Sequence, residues 1–178
     1  SSINPGNIGP LPNLRAALTI TCNSYTSTDV PKSIPDLGSA TSILNVSDSF
    51  SLVDVNAGAL SITHTWDADL EVRLRSPAGT LVELFTRVGS NGDNFANTTL
   101  DDEAATAITA GAAPFAGSYR PEGSLSDFDG QNSSGQWGLE IADVAGLDTG
   151  TLTGWQLRLC RLTDTDGDTI PDPFDNCP

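Results

Sequence analysis

Short apolar runs with a period of two residues recur along the chain from Leu14 onward. The clearest is Leu70–Arg75, in which leucine and valine alternate with glutamate and arginine, so that one face is apolar and the other charged. Turn-forming Gly, Pro, Asn, Asp and Ser separate the runs. Residues 104–112 are rich enough in alanine for one helical turn. The alternation also predicts strands at 18–22, 50–55, 60–63, 80–88, 137–141 and 155–159.

Many short strands separated by frequent turns predict an all-β fold, an antiparallel β-sandwich of jelly roll type. Residues 1–13 hold three prolines and two glycines, which is typical of a linker. The alternation stops after Leu162. We therefore predict a linker at 1–13, a β-sandwich domain at 14–162, and a short irregular acidic tail at 163–178.

The chain is strongly acidic, with a formal net charge of −15 from 23 acidic and 8 basic residues. Such a surface repels phosphate backbones and anionic lipids, which argues against nucleic acid or a membrane as partner. No apolar run of about 18 residues is present to span a bilayer. The acidic residues are mostly aspartate, which favours the loops in which calcium cages of oxygen ligands are built. The composition therefore indicates a divalent cation, Ca²⁺, as the ligand.

The ends of the chain and its cysteines indicate a secreted protein. The first residues lack the basic and apolar parts of a signal peptide, so we expect a mature product or a piece of a longer protein. The three cysteines, Cys22, Cys160 and Cys177, form no CxxC pair and have no histidine nearby, which argues against zinc. Cys22 and Cys160 end the first and last alternating strands, so a disulfide between them is expected; a Cys160–Cys177 bridge and three free thiols are the alternatives.

No catalytic residue is predicted. A Ser-His-Asp triad needs a histidine as base, and His64 is the only one in the chain. The chain has no GxSxG elbow, HExxH helix or glycine-rich phosphate loop. His64 shares its predicted strand face with Leu60 and Ile62, so we expect a packed, hydrogen-bonded side chain.

Two groups of aspartates are candidate calcium ligands. The first is a predicted rim of the sandwich formed by Asp69, Asp93, Asp101 and Asp102, of which Asp93 lies in a glycine-rich loop. Asp67 lies beside this group, and Asp143 and Asp148 are weaker candidates. The second group has the spacing of an EF-hand loop, although Thr169 replaces the usual glycine and the last ligand is Asp instead of Glu. Its members are Asp164, Asp166, Asp168, Ile170 (through its carbonyl), Asp172 and Asp175.

Residues 33–160 resemble the P domain, also called Homo B, that follows the catalytic domain of proprotein convertases and many bacterial secreted proteases. The segments that carry the resemblance are ITHTWDADLEVRLRSPAGTLVELF, GDNFANTTLDDEA, APFAGSYRPEGSLSDFDGQNSSGQWGLEIAD and DTGTLTGWQLRLC. The resemblance implies a jelly roll β-sandwich without catalytic residues. It also implies a module that stabilises the protease catalytic domain of the same polypeptide and helps to hold protein substrate. A subtilisin-like serine protease is the expected parent, and a metalloprotease is the alternative.

The tail is similar to the opening of a thrombospondin type 3 repeat, through its DTDGDTIPDPFDNCP sequence. This resemblance implies calcium binding and a partner for Cys177 beyond the printed chain. A different function remains open, a carbohydrate- or surface-binding β-sandwich. Trp66 is the candidate aromatic contact for that function, because Trp137 and Trp155 start strands with the alternation of a core.

Overall fold

Residues 19–163 of the protein are described by a computed structural model. They form ten strands, with short 3₁₀ turns at Asp67–Asp69, Ile108–Ala110 and Leu125–Phe128. The predicted linker at 1–13 and the predicted calcium ligands from Asp164 to Asp175 lie outside these residues. The strands are β1 (Ile20–Thr26), β2 (Lys32–Ile34), β3 (Ser39–Val46), β4 (Asp54–Thr63), β5 (Leu70–Arg75), β6 (Leu81–Thr86), β7 (Phe95–Leu100), β8 (Gly117–Tyr119), β9 (Gly135–Asp143) and β10 (Gly150–Leu162).

The strands form two sheets, and the fold is all-β as predicted. One sheet has the order β1-β10-β4-β7-β8, with β2 also paired to β10, and the other has the order β3-β9-β5-β6. β7 and β8 pair in parallel, whereas β4, β5 and β9 each pair with their neighbours antiparallel. The two antiparallel-rich sheets make a sandwich-like arrangement. The jelly roll type remains a prediction.

The core lies within residues 22–161, which form one compact unit. Trp137 on β9 and Trp155 on β10 are almost fully buried, as their alternation predicted. Phe95 stacks between Phe85 and Phe115, with ring centroids 4.5 and 4.7 Å away. These aromatic side chains bring large apolar area to the core, which is the main source of its stability.

A disulfide joins Cys22 on β1 to Cys160 on β10, which confirms the predicted pairing. The two cysteines are 138 positions apart, so the bridge closes almost the whole domain into one loop.

Several strands differ from their predicted limits. The predicted strand 60–63 and the last two residues of the predicted strand 50–55 belong to one strand, β4, whereas residues 50–53 lie outside it. The pairing of β4 with β7 shifts register between Ala57 and Leu60. A bulge of this kind interrupts the alternation of side chains. Strands β2, β3, β7 and β8 were not predicted, and the helical turn is limited to Ile108–Ala110.

Candidate functional site

The turn between β4 and β5 is covered by the loop of residues 89–94. The Asp67 amide donates to the Gly92 carbonyl at 2.9 Å, and the Ala68 amide donates to the Ser90 carbonyl at 3.1 Å. The His64 amide donates to the Asn94 side-chain oxygen at 3.0 Å. These bonds hold the glycine-rich loop directly against the turn that carries Asp67 and Asp69.

Gly89 makes this close contact possible. Its φ of +90° favours glycine, and a Cβ there would lie 2.9 Å from the Asp67 Cβ and 2.8 Å from the Phe115 ring. The loop therefore closes over Asp67, which is fully buried. Burial raises the pKa of Asp67 to about 7; the Asn94 amide and His64 oppose this shift, and Asp93 adds to it.

His64 lies at the centre of a second polar group, at the end of β4. Its side chain is fully buried, with Nδ1 2.9 Å from the Trp66 carbonyl oxygen. Nε2 is 3.3 Å from Oδ2 of Asp143, the last residue of β9, and 3.8 Å from Oδ1 of Asp148. The atoms that His64, Asp143 and Asp148 offer all lie within 4.8 Å of one another, which is close enough to hold a metal ion.

Asp69 belongs to the same group. Burial raises the pKa of Asp69, and the nearby charges of Asp148 and Asp143 raise it further. The charges of His64 and Arg87 lower it, but by less. The Asp148 side chain accepts a hydrogen bond from the Thr65 hydroxyl through Oδ2, while its Oδ1 is buried and has no hydrogen-bond partner. Three carboxylates thus surround one imidazole, an arrangement that a cation would stabilise.

The predicted calcium ligands Asp69, Asp93, Asp101 and Asp102 have different neighbours. Asp69 lies near His64, whereas the negative charge of Asp93 helps to raise the pKa of Asp67. Asp102 accepts hydrogen bonds from the amides of Leu125 and Ser126, at the start of a 3₁₀ turn. That role is structural, since it satisfies amides that have no partner within the turn.

Asp101 belongs to a further acidic group beside the disulfide. Burial raises the pKa of Asp54, and the charges of Asp101 and Asp102 reinforce this effect while Arg158 opposes it. Burial likewise raises the pKa of Asp129, with Asp54 and Asp102 adding to the shift. Calcium binding by any of these groups remains a prediction.

Sequence reasoning gave Asp143 and Asp148 little weight and did not include His64 among the ligands. His64 follows β4, Asp143 ends β9 and Asp148 precedes β10, so only the packing of the two sheets brings them together. A weak signal was present, because His64 and Asp143 lie close to the ends of predicted strands. No hydroxyl or thiol group among residues 19–163 hydrogen-bonds to His64, whose ring contacts Trp66, Asp143 and Asp148.

The structure is thus an all-β sandwich with a buried His–Asp group where β4 and β9 end. The proprotein convertase P-domain family matches residues 53–159, which is more than half of the chain. The chain therefore belongs to that family.

The solved structures that resemble this fold include two of a bacterial serine protease. The serine protease of Aeromonas sobria is 19% identical with a TM-score of 0.50, and the match covers 86% of this chain and 28% of that one. The same serine protease in complex with the chaperone ORF2 is 19% identical with a TM-score of 0.52, covering 89% of this chain and 28% of that one. This chain thus matches little more than a quarter of those proteins. No curated protein sequence matches it. Among the described residues, no helix has the length and apolar character needed to cross a membrane.

Proposed function

We propose that this chain is a non-catalytic accessory domain of a secreted, subtilisin-like serine protease. It stabilises or positions the catalytic domain of the same polypeptide, contacts protein substrate and binds calcium. The observation that carries the proposal is the P-domain match across residues 53–159. The likeness of fold to a structure titled as a bacterial serine protease supports it.

The site geometry supports the calcium part of the proposal. Asp69, Asp143 and Asp148 place three carboxylates beside His64. Besides His64, Arg87 is the cationic side chain whose charge lowers the pKa of Asp69. Carboxylate oxygens are the ligands that calcium prefers. A cation bound here would link the ends of β4 and β9, one from each sheet.

Thermal unfolding of the full chain tests calcium binding. A ligand bound by the folded state alone stabilises it by about 2.7 kcal/mol at a concentration 100 times Kd. Calcium should therefore raise the Tm of the wild-type chain above its value in chelator. The Asp69→Asn variant should show a smaller rise, and the exposed Asp127→Asn variant should behave like wild type. An equal Tm with and without calcium in the wild-type chain would contradict calcium binding.

The protein sequence encoded immediately before Ser1 tests the protease part. A subtilisin-type catalytic domain there supports the proposal. A metalloprotease domain would correct the class of the parent, and the absence of any protease domain from the encoded protein would refute the accessory function.

A carbohydrate- or surface-binding function is the second candidate, and one observation favours it. Trp66 is 47% exposed, whereas Trp137 and Trp155 are buried. Its backbone carbonyl oxygen contacts the His64 ring, so Trp66 lies next to the acidic group along the chain. Exposed aromatic rings next to polar groups are suited to sugar binding. Glycan-array binding that is lost in Trp66→Ala would support this function, and an array without signal would exclude it.

A further inference from the structure

Asp67 is a fully buried carboxylate whose oxygens make no full hydrogen bond, although the nearby Asn94 amide partly offsets the effect of burial on its pKa. Its side chain is 0% exposed, and neither carboxylate oxygen has a hydrogen-bond partner. A buried charge of this kind is destabilising, and buried carboxylates in proteins are normally paired, hydrogen-bonded or bound to a metal. Asp67 therefore differs from Asp102, whose oxygens accept hydrogen bonds from the Leu125 and Ser126 amides.

No basic side chain among the described residues neutralises Asp67. His64 is the one group able to carry a positive charge that affects the pKa of Asp67, and its ring already contacts the Trp66 carbonyl and the Asp143 carboxylate. The other charged group that acts on Asp67 is Asp93, which has the same sign. The nearby carboxylates of Asp67 and Asp93 therefore have no arginine or lysine side chain among the groups that shift the pKa of Asp67.

The atoms around Asp67 include further oxygens. A Cβ at Gly92 would lie 3.0 Å from the Gly89 carbonyl oxygen and 3.7 Å from Oδ2 of Asp67, so both oxygens border the same glycine. The Asp67 carboxylate comes from the turn and the Gly89 carbonyl oxygen from the loop. Carboxylate and backbone carbonyl oxygens are the ligands of a hard cation such as calcium, which takes six to eight oxygens in flexible geometry.

We propose that Asp67 and the loop of residues 89–94 form a calcium site, in which the Asp67 carboxylate is the central ligand and Asp93 contributes a second carboxylate. This proposal names a site for the calcium binding included in the proposed function, and it is separate from the group around His64, Asp143 and Asp148. The bound ion fixes the loop to the turn between β4 and β5.

Terbium luminescence in the full chain tests the site. Terbium replaces calcium at oxygen sites, and Trp66, next to Asp67 in sequence, can transfer excitation energy to it. We expect tryptophan-sensitised emission that calcium displaces. In Asp67→Asn the emission should fall and calcium should bind about 10-fold more weakly or worse, because a central ligand charge is lost. The matched control is Asp127→Asn, an exposed aspartate that makes no side-chain hydrogen bond in the structure.

The Tm in chelator checks that Asp67→Asn folds. Since the substitution removes an unpaired buried charge, its Tm there should equal or exceed that of wild type. If the variant does not fold, the exposed Asp93→Asn takes its place, with weakened calcium binding as the expected result. Calcium affinity and terbium emission equal to the control in the folded variant would overturn the site. If Asp67→Asn binds calcium as tightly as the control, only the site at Asp67 is refuted. If the wild-type chain binds no calcium, the calcium part of the proposed function is refuted as well.

Discussion

The imidazole of His64 lies 3.3 Å from the carboxylate of Asp143, although 79 positions separate the two residues. His64 follows β4 of the larger sheet and Asp143 ends β9 of the smaller one, so the pair connects the two sheets at one rim. Both side chains are fully buried. The burial of the His64 ring argues against a role as general base, since a base needs access to its substrate.

The chain should therefore show no peptidase activity on casein or on short peptides, with or without calcium. The reason is that no hydroxyl or thiol among the described residues hydrogen-bonds to His64. The measurement is release of labelled peptide by a preparation free of other proteases. Cleavage that disappears in His64→Ala would show that the domain is itself catalytic.

Gly89→Ala should destabilise the protein more than Gly79→Ala. Both glycines have almost the same φ, +90° and +91°, so both substitutions add similar backbone strain. At Gly89 the new Cβ would also clash with Asp67 and Phe115, whereas nothing lies within 4 Å at Gly79. The clash should add about 2 kcal/mol to the loss of unfolding free energy, as overpacking does. Urea unfolding measures the difference, and an equal loss of unfolding free energy in the two variants would show that the loop over Asp67 can move to accommodate the added methyl group.

Asp29 should stabilise the fold at neutral pH. Its carboxylate accepts hydrogen bonds from Lys32 Nζ at 2.8 Å and the Ile43 amide at 2.9 Å, and from the Ser42 hydroxyl. Burial would raise the pKa of Asp29, but these bonds outweigh it and lower the pKa to about 2. Because this pKa is below the unfolded value of about 3.9, the stabilisation is complete above that value and is lost as the pH falls towards 2.

Asp29→Ala should accordingly lower the free energy of unfolding by about 2 kcal/mol at pH 7, since hydrogen bonds to a charged group are lost. The difference from wild type should shrink as the pH falls from 5 to 2. Urea midpoints at several pH values measure this, with Asp127→Ala as the control. A difference that is the same at pH 7 and pH 2 would mean that the charge of Asp29 contributes nothing.

Loss of the disulfide should be costly. The Cys22–Cys160 bridge spans 138 positions, and a loop of that length contributes roughly 4–5 kcal/mol in the chain-entropy model. The paired substitutions Cys22→Ser and Cys160→Ser should lower the unfolding free energy by up to that amount. Comparison of urea unfolding for the variant and the oxidised wild type measures the effect. No difference would mean that the bridge does not form in the protein.

The sequence pattern predicted the strands that are amphipathic and regular. β5 has the predicted limits because Leu70, Val72 and Leu74 all face the core and charged residues alternate with them. β3 was missed because serine, threonine and alanine occupy half of it, and polar residues at those positions hide the period. β4 was divided in the prediction because its bulge near Ala57 interrupts the alternation.

The candidate site was predicted less well, for a physical reason. The pattern placed Asp69 at a predicted rim with Asp67 beside it, and the structure places both in the 3₁₀ turn at Asp67–Asp69. The burial of Asp67 depends on a loop more than 20 positions away, which the local pattern does not specify. The same holds for His64 and Asp143, whose contact follows from the packing of one sheet on the other.

The thermal half-life of the parent protease, with and without this chain attached, tests the central claim most directly. Both forms would be expressed from the same gene and incubated at raised temperature in calcium, and cleavage of a protein substrate would be followed over time. An accessory domain that stabilises or positions the catalytic domain predicts that its deletion shortens the half-life or lowers kcat/KM on the protein substrate. An unchanged half-life together with an unchanged kcat/KM would contradict the proposed function.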